Sequence, residues 1–313
     1  MIETPALETR ELTKRYGDRS AVADLTMRVM RGETFGFLGP NGAGKTTVVK
    51  MLLGLVQPTS GDAAILGRPL GSLEARRRIG YLPELFRYQE WLTAREVLGW
   101  HAAVLRIAHE RRASEIGGIL RRVGLAERAG DRVGTFSKGM QQRLGIGVAL
   151  LGSPELIFLD EPTSALDPVG RADVRALIAG LKAEGTTVFL NSHLLSEVEH
   201  VCDRVAVIDA GRALAIGDLS ELLGRFALRI GFESIDAALH AELVRRDAEF
   251  GRDRTAVLHG LSDSDTPDVV AELVAFGARI KTVQPIRSTL EERFLEILRN
   301  EHERTADRFA RPR

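Results

Sequence analysis

With 313 residues, 44% of them hydrophobic, the chain is long enough for two domains and can bury a sizeable core. Its 43 Lys and Arg residues balance 43 Asp and Glu residues, which argues against a broad electrostatic grip on nucleic acid and leaves room only for a local patch. Cys202, the single cysteine, excludes an internal disulfide and fits a reducing compartment. No apolar run approaches the ~18 residues a membrane helix needs, and "MIETPALETR" lacks the basic and apolar regions of a signal peptide. The chain reads as cytosolic, so work at a membrane would require another chain to span it.

In chain order, "TFGFLG" is a short apolar run bounded by turn residues and reads as a buried parallel strand. Next comes "GPNGAGKTTVV", in which Gly39 through Thr46 match G-x-x-x-x-G-K-[ST]. Gly39, Gly42 and Gly44 let backbone N–H groups converge on phosphate oxygens without side-chain obstruction. The helix behind them points its positive N-terminal end at the same anion. Lys45 reaches the β- and γ-phosphates, and the Thr46 hydroxyl is placed for Mg²⁺. Pro40, Asn41, Ala43 and Thr47 complete the candidate nucleotide loop. The helix carries Val48, Val49, Leu52, Leu53 and Val56 and is expected to stop near Pro58.

Thr93 and Glu96 have capping-box spacing, which predicts a helix start in "TAREVLGWHAAVLRI". "ELIFLDEP" and "TTVFLNSH" read as two further buried parallel strands. The first ends in Asp160 and Glu161. Asp160 stands where a Mg²⁺ carboxylate is needed, bound directly or through water. Glu161, one residue on, can polarise a water. "RVAVIDAGRALAIG" predicts two strands about a turn at Ala210 and Gly211. Strands alternating with helices make an α/β domain.

The character changes near Arg225. "ALRIGF", "TAVLHGL" and "IKTVQPI" read as strands, and "IDAALHAELV", "TPDVVAELVAFG" and "LEERFLEILR" as helices. The expected division is 1–224 for the first domain, 225–300 for a small α+β domain of ferredoxin-like type, and 301–313 for a charged, frayed tail.

At "TFSKGMQQRLGIGVALLGSPELIFLDEPTSALDP" the chain resembles the ATP-binding subunit of an ABC transporter, with the whole motif set in order from residue 7 to about 222. The resemblance implies a P-loop ATPase domain with a helical subdomain, and ATP with Mg²⁺ as ligands. Ser137, Lys138, Gly139, Met140 and Gln141 occupy the family's signature motif, with Lys138 where Gly is usual. Ser137 is a good N-cap, and the helix behind it offers an anion-binding end. In the family this end closes over ATP held by a second subunit, head to tail. The "SKGM-QR" form resembles the subgroup that serves exporters with separate membrane subunits.

Other roles come by resemblance alone. Tyr16 matches the aromatic that stacks on adenine, and Ser164 through Asp167 the loop that communicates across the dimer. His193 matches the switch histidine that contacts the γ-phosphate. Glu84, in "IGYLPEL", departs from the common Gln of the loop linking ATP to the membrane partner. A carboxylate binds Mg²⁺ more strongly than an amide but donates no hydrogen bond when ionised. Related exporter subunits often show this "LPE" form.

Both tryptophans and two of the three tyrosines fall between residues 81 and 100. Phe86, Tyr88 and Trp91 suit an interface hot spot. In the family this region forms the groove that receives the membrane subunit, whereas Trp100 leans toward the helical core. "RSTLEERFLEIL" resembles an accessory domain of the exporter subgroup, although Leu290, Phe294, Leu295 and Leu298 also suit ordinary helix packing.

The leading expectation is an ATPase at the cytoplasmic face of the membrane that powers an exporter. Its implied partners are a membrane-spanning permease and a second ATP-binding subunit, most simply a homodimer, with no nucleic acid. The alternative is a soluble ABC ATPase acting on ribosomes or DNA. Translation-type members usually carry two cassettes in one chain, and repair types insert a long coiled coil between loop and signature; neither is present. The signature motif also opposes a P-loop kinase.

Overall fold

A computed structural model describes residues 4–310, apart from 165, 224–225, 252, 262 and 287–288. The chain divides into two compact units, Met1–Leu219 with Ile297–Arg313, and Ser220–Glu296. The expected boundary near Arg225 falls at residues outside those described.

The first unit opens with an antiparallel pair, β1 (Leu7–Tyr16) and β2 (Arg19–Val29). β3 (Thr34–Leu38) leads through the glycine-rich loop into α1 (Lys45–Leu52). α1 ends six residues before Pro58, which corrects the longer helix expected. Gly54 takes the left-handed φ of 68°. Its N–H donates to the Met51 carbonyl, and that of Leu55 to the Lys50 carbonyl. These two bonds form a Schellman stop, which closes the helix ahead of the apolar Val56.

β4 (Ser60–Ile65), β5 (Arg68–Pro69), the short α2 (Leu73–Arg76) and β6 (Ile79–Leu82) follow. A helical segment comes next: α3 (Ala94–Val104), α4 (His109–Arg122) and α5 (Lys138–Ala149). The chain then returns to β7 (Leu156–Asp160), α6 (Pro168–Ala183), β8 (Thr187–Asn191), α7 (Leu195–Val201), β9 (Arg204–Asp209), β10 (Arg212–Asp218) and the short α8 (Leu219–Leu222). The turn between β9 and β10 lies at Ala210 and Gly211, as expected.

Two sheets result among the described residues of this unit, ordered β2-β1-β4-β5 and β10-β9-β3-β8-β7-β6. Every residue of β3, β7 and β8 is buried: their phenylalanines share a core with α1 and the antiparallel sheet, while α6 and α7 pack against β8 and β3. Phe35, Phe37 and Phe158 each place a ring against Phe189, at centroid distances of 5.9, 5.3 and 5.1 Å. Full burial of such a side chain contributes ~1.5–3 kcal/mol. This core sets the height at which β3, β7 and β8 end, and the functional residues sit at those ends.

The capping box of α3 is formed. Thr93 Oγ1 accepts from the Glu96 N–H at 3.2 Å, and a Glu96 carboxylate oxygen accepts from the Thr93 N–H at 2.8 Å. Thr93→Ala is expected to lower unfolding free energy by about 1 kcal/mol. A urea titration should show a lower midpoint with unchanged slope, and an unchanged midpoint would count against the cap. Trp100 corrects another expectation. Helix α3 buries Val97, Leu98 and Ala102, and Trp100 lies roughly 200° around the helix from Leu98. It is therefore 71% exposed rather than in the core.

The second unit runs β11 (Phe226–Phe232), α9 (Ala237–Arg245), β12 (Glu249–Phe250), β13 (Thr255–Leu261), α10 (Thr266–Ala275) and β14 (Ile280–Ile286). Its sheet order is β12-β13-β11-β14, antiparallel throughout. This is the ferredoxin-like arrangement the sequence predicts. Leu228, Ile230, Phe232, Leu239, Leu243 and Leu273 form its core. α11 (Leu290–Ala310) follows; Arg287 and Ser288 lie outside the described residues. The helix continues through the tail expected to fray from Glu301. No Gly or Pro interrupts that stretch before Pro312, and most of its residues are good helix formers.

Candidate functional site

The loop between β3 and α1 is built of positions that only glycine fills well. A Cβ on Gly39 would lie 2.3 Å from the Ile208 carbonyl oxygen, and one on Gly44 2.3 Å from that of Ala21. Gly44 also holds φ at 101° in the N-cap position of α1, and no side chain caps that helix end. Its first N–H groups are thereby left for an external acceptor. Gly44→Ala is expected to abolish nucleotide binding, since backbone must shift in addition to ~1–2 kcal/mol of left-handed strain. ATP titration with parallel circular dichroism checks it: wild-type affinity would show that the loop tolerates a side chain.

Lys45 is 8% exposed. Its Nζ donates to the carbonyls of Gly39 at 2.6 Å and Pro40 at 3.1 Å, so the loop holds its own cation in place. Burial lowers the pKa of this amine, while the nearby carboxylates of Glu161, Asp160 and Glu84 favour its charged form.

These groups face a cleft of about 870 Å³. Asn41, Gly42, Ala43, Gly44, Lys45, Thr46 and Thr47 line one side. Asp160 and Glu161 enter from the end of β7, His193 from beyond β8, and Glu84 and Tyr16 from the rims. Asp160 is 2% exposed, and burial raises its carboxyl pKa against a lowering hydrogen bond from Asn191. Glu161 is 7% exposed and holds a left-handed φ of 52°. Its N–H donates to the Asn191 carbonyl at 2.8 Å, and its carbonyl accepts from the Ser164 hydroxyl at 3.2 Å. Nδ1 of His193 is 2.8 Å from Oε2 of Glu161. Tyr16 is half exposed, with the Lys14 ammonium 5.0 Å from its ring centre.

Thr46, Asp160 and Glu84 share the cleft. Among the described residues no group of three His, Cys, Asp or Glu side chains is placed to hold a metal ion. Hydroxyl and carboxylate oxygens with few protein donors suit Mg²⁺, which keeps waters and takes substrate phosphates as ligands. An all-protein cation cage is a different construction.

The signature residues lie apart from this cleft. Ser137 caps α5, its Oγ accepting from the Met140 N–H at 3.2 Å. Gly139 follows in the first turn, and Gln141 Nε2 donates to the Phe136 carbonyl at 3.3 Å. Asp167 caps α6, accepting from the Gly170 N–H at 2.8 Å. Ala165, within the expected communicating loop, lies outside the described residues. The cleft also takes in residues the sequence did not single out for it: Arg19, Ser20, Asn191 and the Asp209–Ala210 turn. One signal was available for that turn. Gly211 donates its N–H to the Ala43 carbonyl at 2.9 Å and has room for no Cβ beside Ala21.

A separate groove of about 710 Å³ holds the aromatic cluster. Phe86 and Tyr88 are half-buried, with ring centres 5.3 Å apart, and Tyr88 meets His101 edge-on at 5.8 Å. Burial pushes the Tyr88 phenol well above its usual range. Trp91 and Trp100 are each 71% exposed. No helix among the described residues is long and apolar enough to cross a membrane.

The sequence profile of the family described as ABC transporter matches residues 22–164. An uncharacterized ABC transporter ATP-binding protein of Synechocystis is 37% identical over 307 residues, covering 95% of this chain and 86% of its own length. The bacitracin transport ATP-binding protein BcrA of Bacillus licheniformis is 46% identical over 211 residues, covering 66% and 68% respectively. The solved structure of an ATP-binding subunit of an ABC transporter superposes with a TM-score of 0.63 at 33% identity, covering 70% of this chain and 92% of that one.

Proposed function

This chain belongs to the ABC transporter family as one of its ATP-binding proteins, and we propose that it drives export by closing head to tail on a second copy of itself at the cytoplasmic face of a membrane. It binds ATP and hydrolyses it to power transport. The observation that carries the site assignment is the convergence of Lys45, Asp160, Glu161 and His193 on one cleft, at the ends of β3, β7 and β8.

In the proposed mechanism the loop N–H groups from Gly39 to Thr47 and the end of α1 take the phosphates, and Tyr16 takes the base. Lys45 turns from its loop carbonyls toward the β- and γ-phosphates. Thr46 and Asp160, with Glu84 alongside, would hold Mg²⁺, which supplies charge neutralisation on the phosphate oxygens. Glu161 orients a water and accepts its proton. His193, within hydrogen-bonding distance of Glu161, holds that carboxylate and meets the γ-phosphate. Ser137, Gly139 and Gln141 of the second copy cover the same phosphate, and Asp167 lies at the dimer seam. Their separation from the cleft within one chain supports this division of labour. Hydrolysis removes the shared charge and the pair reopens. The purified chain should show Mg²⁺-dependent ATPase activity that rises more than linearly with protein concentration; activity strictly proportional to concentration would oppose the dimer.

The permease would dock on the aromatic groove, with Trp91 as its exposed anchor. Replacing such an anchor commonly costs ~2 kcal/mol or more, roughly thirtyfold in affinity. Trp91→Ala is expected to weaken co-purification with the membrane subunit while leaving melting and intrinsic ATPase near wild type. Phe86→Ala and Tyr88→Ala are expected to melt early, because those rings also pack the subdomain. Normal partner binding by Trp91→Ala would remove it from the docking surface. The "SKGM-QR" and "LPE" forms support export as the direction of transport.

A further inference from the structure

Strand β8 reads Thr-Val-Phe-Leu-Asn, and all five residues are buried. The last is the anomaly. Asn191 is 2% exposed at the end of a strand flanked by β3 and β7, paired with Phe37 on one side and Asp160 on the other. Burying an amide there is costly unless both of its ends are satisfied. One end is: Nδ2 donates to Asp160 Oδ1 at 2.5 Å. The orientation follows from chemistry, because an ionised carboxylate only accepts. The other end is not: Oδ1 is buried without a hydrogen-bond partner among the described residues, although Asn191 lines the phosphate cleft. The Asn191 backbone carbonyl meanwhile accepts the Glu161 N–H at 2.8 Å. One residue thus holds the Asp160 carboxylate with its side chain and the Glu161 backbone with its carbonyl, and leaves an acceptor over.

We propose that Asn191 is a positioning residue for hydrolysis: its Nδ2 fixes the Asp160 carboxylate, and its unpartnered Oδ1 accepts a hydrogen bond from a water of the Mg²⁺ hydration shell. The proposal rests on the reading of Asp160 as the Mg²⁺ carboxylate. Mg²⁺ keeps several of its waters, and each is a donor seeking an acceptor. Partners of this kind around a bound metal commonly change affinity by 10–100-fold when removed. A buried amide oxygen without a partner is uncommon, and a water held at the cleft that Asn191 lines accounts for it.

The test uses the full chain and ATP binding by calorimetry, first in EDTA and then across a Mg²⁺ series, with melting followed in parallel. Asn191→Leu removes the amide while keeping the branched shape at a larger volume, and Asn191→Ala removes it while leaving space. The expected result is a Mg²⁺ requirement raised about tenfold in whichever variant folds, with ATP affinity in EDTA within about twofold of wild type. An unshifted Mg²⁺ requirement overturns the proposal. So does a parallel loss of affinity in EDTA, which would make Asn191 structural. Asp160→Asn serves as the reference. If it leaves the Mg²⁺ requirement alone, the assignment of Asp160 fails; if it shifts the requirement and the Asn191 variants do not, only the role of Asn191 falls.

Discussion

Glu161→Gln is expected to remove steady-state ATP hydrolysis while ATP binding survives. The amide keeps the volume and planar shape of the side chain but takes no proton from water. General-base catalysis contributes about 10²–10⁴-fold, and a loss in that range is the expected drop in turnover. The backbone at this position is over-determined: the N–H is held by the Asn191 carbonyl and the carbonyl by the Ser164 hydroxyl. Those bonds sustain the left-handed φ of 52°, and the substitution leaves both intact. Melting should stay near wild type. With the phosphate bound and uncleaved, the closed pair should accumulate, visible as an ATP-dependent dimer on size exclusion. Wild-type turnover would take the base assignment away from Glu161. Lost turnover without dimers would keep the base and discard the head-to-tail pair.

The sequence carried this site unevenly, for physical reasons. Gly39, Gly42, Gly44, Lys45 and Thr46 were legible because phosphate binding needs contiguous backbone, so its residues lie side by side in the chain. Asp160 and Glu161 were legible because a buried apolar strand that ends in two carboxylates has few other uses. Asn191 was not, because its importance lies in β8 running parallel to β7 in the register that sets it opposite Asp160. One residue of slip would part them, and no local pattern encodes that choice. The same holds for Arg19 and the Asp209–Ala210 turn, which reach the cleft only through sheet packing. Helix phase explains Trp100. Its place within an amphipathic stretch suggested burial, yet only the identity of the buried stripe at Val97, Leu98 and Ala102 decides which way it points. The end of α1 was decided by a glycine that the run of apolar residues beyond it disguised. In the second unit the alternation of strand and helix was clear enough for the three longer strands and the helices to be found where expected; the two-residue β12, Glu249–Phe250, was too short to leave a pattern.

Lys45→Ala should fail at an earlier step than Glu161→Gln. The ammonium is buried beside the loop, and burial already works against its charge. A fold that tolerates this expense near Asp160 and Glu161 is holding the cation for a stronger acceptor than the two carbonyls it now contacts. Hydrogen bonds to a charged group contribute ~1.5–3 kcal/mol each. Loss of the ammonium therefore predicts ATP affinity weaker by about tenfold to more than a hundredfold, with turnover lost as well. Removing the positive charge also leaves Asp160 and Glu161 facing each other with less compensation, which pushes the Asp160 carboxyl further up. Lys45→Met separates charge from volume: it fills the same space without an ammonium and should fail equally. ATP binding by calorimetry with single-turnover hydrolysis makes the comparison. Glu161→Gln should bind and stall, whereas both Lys45 variants should bind weakly and form no ATP-dependent dimer. Wild-type affinity in Lys45→Met would mean that the loop amides and the end of α1 suffice to hold the phosphates, and that the lysine acts only once the nucleotide is in place.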